Sequence, residues 1–200
     1  MSKIHFKITI FGILMILILI FGDNSKYSTI ALLVAFIHEA GHIIAAYFLK
    51  MKFDSFSINL FKFNIGIALP MHSYKKELLL SLAGPAANLL SGIIAIHIYV
   101  NFHSNEFVIF GAVASFFLAI LNLMPIKDFD GGRIFICLLA PKFNLYTIEC
   151  ILDVLSFSLV LFLWIVSIYL MLKIGASLTL FIFSSSLFTK LFLYPDSLQK

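Results

Sequence analysis

Of the 200 residues, 62% are hydrophobic and 12% charged, against roughly 45–50% apolar and about 25% charged in an average soluble domain; so few charges cannot cover a surface facing water, and the chain is expected in a bilayer. The net charge of +4 does not point to nucleic acid, because the lysines and arginines stand singly or in pairs, with no basic stripe interleaved with stacking aromatics. Cys137 and Cys150 form no CxxC pair, which argues against a disulfide framework or a thiolate zinc site and leaves both as packing residues.

Charge-free apolar runs mark the spans, since about 20 such residues cross the hydrocarbon core and a charge at its centre is costly. Six are predicted. The first, residues 8–22, is short and can lengthen through Phe6 and Lys7, the lysine snorkelling to the interface. Asp23-Asn24-Ser25-Lys26-Tyr27 follows it and lacks the small-residue pattern of a signal-peptidase site, so the segment reads as a retained anchor rather than a signal peptide. The second span, 28–49, is unusual in holding His38, Glu39 and His42 at mid-depth. Next, Phe56, Ile58 and Leu60 alternate with Ser55, Ser57 and Asn59, and the phase slips before Phe61, Phe63, Ile65 and Ile67. Period two predicts two short strands, a hairpin lying against the membrane.

The third and fourth spans fall within 78–105 and 107–126, separated by a polar turn at 101–106. Ala83, Ala87, Ser91 and Ala95 make a small-residue stripe on the third, expected to face the second span. Gly84 and Pro85 are expected in its first turns, where proline is tolerated. The fifth span, 154–172, is opened by Glu149 and Asp153, and Lys173 marks a short turn into the sixth, 174–193. Trp164 and the phenylalanines read as lipid-facing or packing surface. The expected fold class is an all-α polytopic membrane protein of about six transmembrane helices with a small membrane-associated β-hairpin, one domain over 1–200 with its functional core at 28–135.

Cytoplasmic loops retain Lys and Arg. With these spans Lys3 and Lys7, the five lysines between 50 and 76, Lys127, Arg133 and Lys142, and Lys190 and Lys200 share one side, against Lys26 and Lys173 on the other. Both termini are therefore predicted cytoplasmic. The Ile, Phe and Lys-rich composition points to an AT-rich bacterial genome, and a bacterial cell membrane is the expected location.

His38-Glu39-Ala40-Gly41-His42 is an HExxH sequence within a predicted helix. Spacing i, i+4 sets both imidazoles on one face, able to grip one zinc ion, with Glu39 beside them to take a proton from a zinc-activated water and return it to a leaving amine. An ionisable triplet inside a span is costly unless paired or liganded, so a functional site is favoured over a polar cluster joining helices. A catalytic zinc usually has three protein ligands. Among the other candidates Asp130 stands out: Pro125 ends the fourth span and Gly131-Gly132 permit a tight turn aiming the carboxylate back at the membrane, although an Asp-Gly pair is also common in ordinary surface turns. His72, His97 and His103 are not assigned to the metal.

HEAGH, then Gly84-Pro85-Ala86-Ala87-Asn88, then Asn122-Leu123-Met124-Pro125 with Asp130-Gly131-Gly132-Arg133, in this order over roughly 28–135, resemble the site-2 protease family of intramembrane zinc metalloproteases, in its compact branch of the stage IV sporulation protein FB type. The resemblance implies one zinc per chain held by His38, His42 and Asp130, Glu39 as general base, and Asn122 near the reacting carbonyl, where its amide could stabilise an oxyanion. It also implies a strand element near the site that could take up an unwound substrate segment. Where the family often has a second proline, this chain has Asp128; Asp130 is preferred as ligand because it holds the motif position and precedes glycine. Neither a PDZ insertion nor a nucleotide-sensing module is expected. The function this implies is hydrolysis of peptide bonds in a membrane-embedded or membrane-associated protein substrate, as in regulated intramembrane proteolysis of a transcription factor precursor. The rivals are a metal-handling or transport protein, disfavoured because no second ligand cluster marks a path, and a catalytically silent relative that holds clients.

Overall fold

The computed structural model describes residues 5–8, 26–59, 62–68, 73–102 and 105–174, with 181, 184–185 and 187–189 beyond them. The chain divides into two compact units, Met1–Met124 and Pro125–Lys200.

In the first unit, β1 (His5–Ile8), α1 (Lys26–Phe48), β2 (Lys52–Asn59), β3 (Lys62–Ala68), α2 (Tyr74–Phe102) and α3 (Glu106–Leu123) follow in order. The three helices form where the apolar runs lie, and their ends are set by local chemistry. At the end of α1 the N–H of Met51 reaches Ala46 O at 3.0 Å and that of Lys50 reaches Tyr47 O at 3.1 Å, with Lys50 at φ 53°. This is a Schellman cap, in which a left-handed residue lets the chain satisfy the last carbonyls. Asn105 starts α3 by accepting from Phe107 N–H through Oδ1 at 3.5 Å, with Glu106 at the positive end of the helix dipole. Met124 ends it in the extended conformation, as the residue before Pro125 must.

Small residues hold these helices together. A side chain on Gly41 of α1 would meet Ala83 O of α2 at 2.6 Å and Ala87 Cβ at 2.8 Å, so the backbones approach as only glycine permits. Farther along α2 the packing turns to α3, where Gly92 lies under the Phe116 ring and Ser91 Oγ donates to Ser115 Oγ at 3.3 Å. The small-residue stripe is thus shared: Ala83 and Ala87 face α1, while Ser91 serves α3. Tyr27 closes the other end of α1 against Phe107 and Phe110, with ring centroids 5.1 and 4.9 Å away.

The second unit holds α4 (Asp130–Leu139) and α5 (Leu145–Ile174). Buried Ser156 of α5 accepts from Lys127 N–H at 2.9 Å, and Lys127 Nζ pairs with Asp153 at 2.7 Å, so the turn before α4 is tied to α5 at two points.

The expected architecture needs correction. Four helices among the described residues are long and apolar enough to cross a membrane, Tyr27–Phe48, Tyr74–Phe102, Glu106–Leu123 and Leu145–Lys173, in the places of the second to fifth expected spans. They carry large apolar side chains that face outward, Phe36 at 70% exposure and Tyr47 at 75%, which only lipid can cover; the chain is an integral membrane protein. The expected first span lies outside the described residues apart from Ile8, and most of the sixth lies outside them too. Nor does an isolated membrane-associated hairpin stand. The strand element is a three-stranded mixed sheet of order β1-β2-β3, with β1 parallel to β2 from His5↔Ser55 to Ile8↔Ile58 and β2 antiparallel to β3 from Lys52↔Ala68 to Asn59↔Lys62. A two-stranded ribbon leaves both outer edges with unpaired backbone groups and is marginal alone; residues 5–8, expected to lead into the first span, supply the third strand.

The helices also begin earlier than their charge-free runs. Tyr74 opens α2, which puts Pro85 well inside it rather than in a first turn, and Leu145 opens α5, which carries Lys173 within the helix rather than at a turn.

Candidate metal centre

His38 and His42 lie one turn apart on the buried face of α1, at 3% and 8% exposure. Their Nε2 atoms face each other at 3.2 Å, the rings edge to face at 79°. Two nitrogens on one tetrahedral zinc, each about 2.05 Å from it, stand roughly 3.3 Å apart, so the pair already has the spacing of two ligands.

Each ring is held from behind by α2. His42 Nδ1 donates to Leu80 O at 2.9 Å, which leaves its Nε2 as the lone-pair nitrogen. Such a carbonyl behind an imidazole fixes tautomer and ring plane at once. His38 Nδ1 lies 3.3 Å from Asn88 Nδ2. Between these two supports sits Gly84, whose missing side chain is a requirement of space: a Cβ there would overlap His42 Nε2 and stand 2.8 Å from His38 Cε1. Pro85, next to it, has no N–H to offer the Ser81 carbonyl. Glu39 follows His38 on α1 and is partly buried.

The chain leaves α3 at Pro125 and turns tightly. Phe129 N–H bonds to Ile126 O at 2.9 Å and Gly132 N–H to Phe129 O at 3.2 Å. A side chain on Gly132 would strike the Ile126 carbonyl, so this glycine too is there for close approach. The turn delivers Asp130 as the first residue of α4, at 1% exposure, while Asp128 is only partly buried. Among the described residues, His38, His42 and Asp130 are each buried and each offers an atom that could bind a metal ion. Two imidazoles and a carboxylate are the donor set of a hydrolytic zinc site.

Asn122, in the last turn of α3, donates from Nδ2 to Leu118 O at 3.0 Å. His97 is exposed on α2 beside Asn101 and takes no part, while His72 and His103 lie outside the described residues. Cys137 is buried, Cys150 is exposed, and neither forms a disulfide. Two contributors were not assigned from the sequence: the Leu80 carbonyl, which no residue type could announce, and the space at Gly84, which stood in a motif without a stated role.

A polytopic helical membrane protein with two buried, facing imidazoles on one apolar helix is the class that fold and site define. Neither a family model nor a curated protein sequence matches the chain. In three dimensions it is similar to the Site-2 Protease from Methanocaldococcus jannaschii, with a TM-score of 0.67 over 96% of this chain and 90% of that one, at 19% sequence identity. The chain therefore has the site-2 protease fold.

Proposed function

We propose that the protein is an intramembrane zinc endopeptidase that cuts a membrane-spanning or membrane-associated protein. The observation that carries this reading is the buried face of α1, where two imidazoles point their Nε2 atoms at a common centre 3.2 Å apart with a glutamate next in sequence. His38, His42 and Asp130 would hold the ion, one per chain. Bound there, zinc would supply Lewis acidity, lowering the pKa of a water and polarising a carbonyl. Glu39 takes the proton of the attacking water and passes it to the leaving amine. Asn122, by turning its amide away from Leu118, donates to the oxygen on which negative charge develops. The likeness in fold to a site-2 protease supports the same reading, as does the HExxH spacing. Substrates of this class enter from the bilayer, and cleavage of a regulatory precursor is the role we assign.

Purified protein in detergent tests the proposal by zinc analysis and by cleavage of a single-span test protein in proteoliposomes. Wild type is expected to carry about one zinc and to cut. Glu39→Gln is expected to keep the zinc and lose cleavage by at least about a hundredfold, the usual scale of a lost general base. Folded wild type without zinc, or an active Glu39→Gln, would overturn the reading.

A further inference from the structure

The geometry points to Asn88 as the residue that positions His38 for metal binding, by presenting its side-chain oxygen to the His38 Nδ1 proton. This rests on the reading of His38 as a metal ligand and adds a residue to it.

Asn88 is fully buried on α2, at 0% exposure, an unusual place for an amide inside a membrane helix. Its Nδ2 faces His38 Nδ1 at 3.3 Å, and its Oδ1 is buried with no hydrogen-bond partner. An amide nitrogen can only donate. An imidazole that gives Nε2 to a metal carries its proton on Nδ1 and can only donate there as well. Donor would then face donor. A half-turn of the amide about its last bond, which exchanges Oδ1 and Nδ2 in nearly the same space, brings the unpartnered oxygen onto the His38 proton. The pairing is then the counterpart of Leu80 O on His42 Nδ1, so that each imidazole has an acceptor from α2 behind it. Two helical turns separate Leu80 from Asn88, with Gly84 between them leaving room for the rings.

The alternative role for a buried asparagine is a hydrogen bond that joins helices, and the two roles respond oppositely to one substitution. Asn88→Asp offers a carboxylate to the His38 proton, an arrangement common behind metal-bound histidines, but it buries a charge that a purely structural role cannot satisfy. Zinc affinity is measured by chelator competition in detergent on wild type, Asn88→Asp, Asn88→Leu and His38→Ala, with folding followed by size exclusion. Asn88→Asp is expected to stay folded and bind zinc within a few-fold of wild type or more tightly. Asn88→Leu is expected to bind about 10- to 100-fold more weakly, the usual loss when such a support is removed. If Asn88→Leu binds like wild type, or if Asn88→Asp loses as much affinity as it does or fails to fold, Asn88 is a packing residue and the inference falls while the zinc site stands. Should Asn88→Leu not fold, the Asn88→Asp arm decides alone. Wild type without zinc, or His38→Ala binding like wild type, removes the ligand reading itself and the inference with it.

Discussion

Gly84→Ala adds one methyl group to α2 and is expected to cost the protein its metal. On the present backbone that carbon stands 2.7 Å from His42 Cε1 and 2.8 Å from His38 Cε1, and it overlaps His42 Nε2. Carbon contacts settle near 3.5–4.0 Å, so the rings or the helix must yield by roughly 0.7–1.3 Å. His42 is not free to move, because Nδ1 is held on Leu80 O at 2.9 Å. Metal sites keep their ligand distances within about 0.2 Å, several times less than the displacement required. Zinc affinity is therefore expected to fall at least about a hundredfold, while overpacking lowers stability by about 1–3 kcal/mol. Gly92→Ala is the companion variant: its methyl would stand 3.0 Å from the Phe116 ring, overpacking α2 against α3 without reaching an imidazole. Chelator competition and thermal melts by circular dichroism on both variants read the two effects apart. Gly84→Ala with wild-type zinc affinity would refute the reasoning, and so would equal zinc loss in Gly92→Ala at the same change in melting temperature.

Asp130→Asn is expected to lose zinc or bind it at least about tenfold more weakly, since an amide is a poor substitute for a carboxylate ligand. Asp128→Asn, two residues away and only partly buried, is expected to keep it, and zinc analysis of the two decides. Ser156→Ala leaves the Lys127 N–H without its acceptor at 2.9 Å, so unfolding in mild denaturant should show a loss of about 1 kcal/mol. An unchanged midpoint would mean that water replaces the hydroxyl there. From the distribution of lysines and arginines, a reporter fused after Lys200 is expected to be active on the cytoplasmic side; activity only on the opposite side would reverse the orientation.

What could be read from the sequence is what local geometry determines. The i, i+4 spacing of His38 and His42 decides that they share a face whatever surrounds the helix, and the buried pair is found where that spacing puts it. Helix boundaries were read less well, because a charge-free run marks the hydrocarbon layer and a helix continues through the interface where Lys75 and Lys76 are exposed. The same confusion put Pro85 in a first turn and started α5 nine residues late, at 154 in place of Leu145. Gly131-Gly132 concealed α4, since a glycine pair reads as a turn until the close approach of Gly132 to the Ile126 carbonyl is seen. Residues 5–8 are too few to show a period, and their strand is defined by a partner some fifty positions away. The Leu80 carbonyl is beyond any sequence reading, because every residue has one and only the packing of α1 on α2 selects it.

Trp164 is the chain's only tryptophan. Its indole N–H donates to Ser185 Oγ at 3.0 Å, and its ring stacks on Phe188 with centroids 5.3 Å apart and planes 15° from parallel. Indole emission from this protein therefore originates at one address, the seam of α5 against Ser185 and Phe188. An indole that loses a hydrogen bond and a stacked neighbour changes its colour and brightness, so separation of that seam can be timed without any attached dye. The signal comes from the second compact unit, and a melt followed by fluorescence reads that unit while circular dichroism reads every helix.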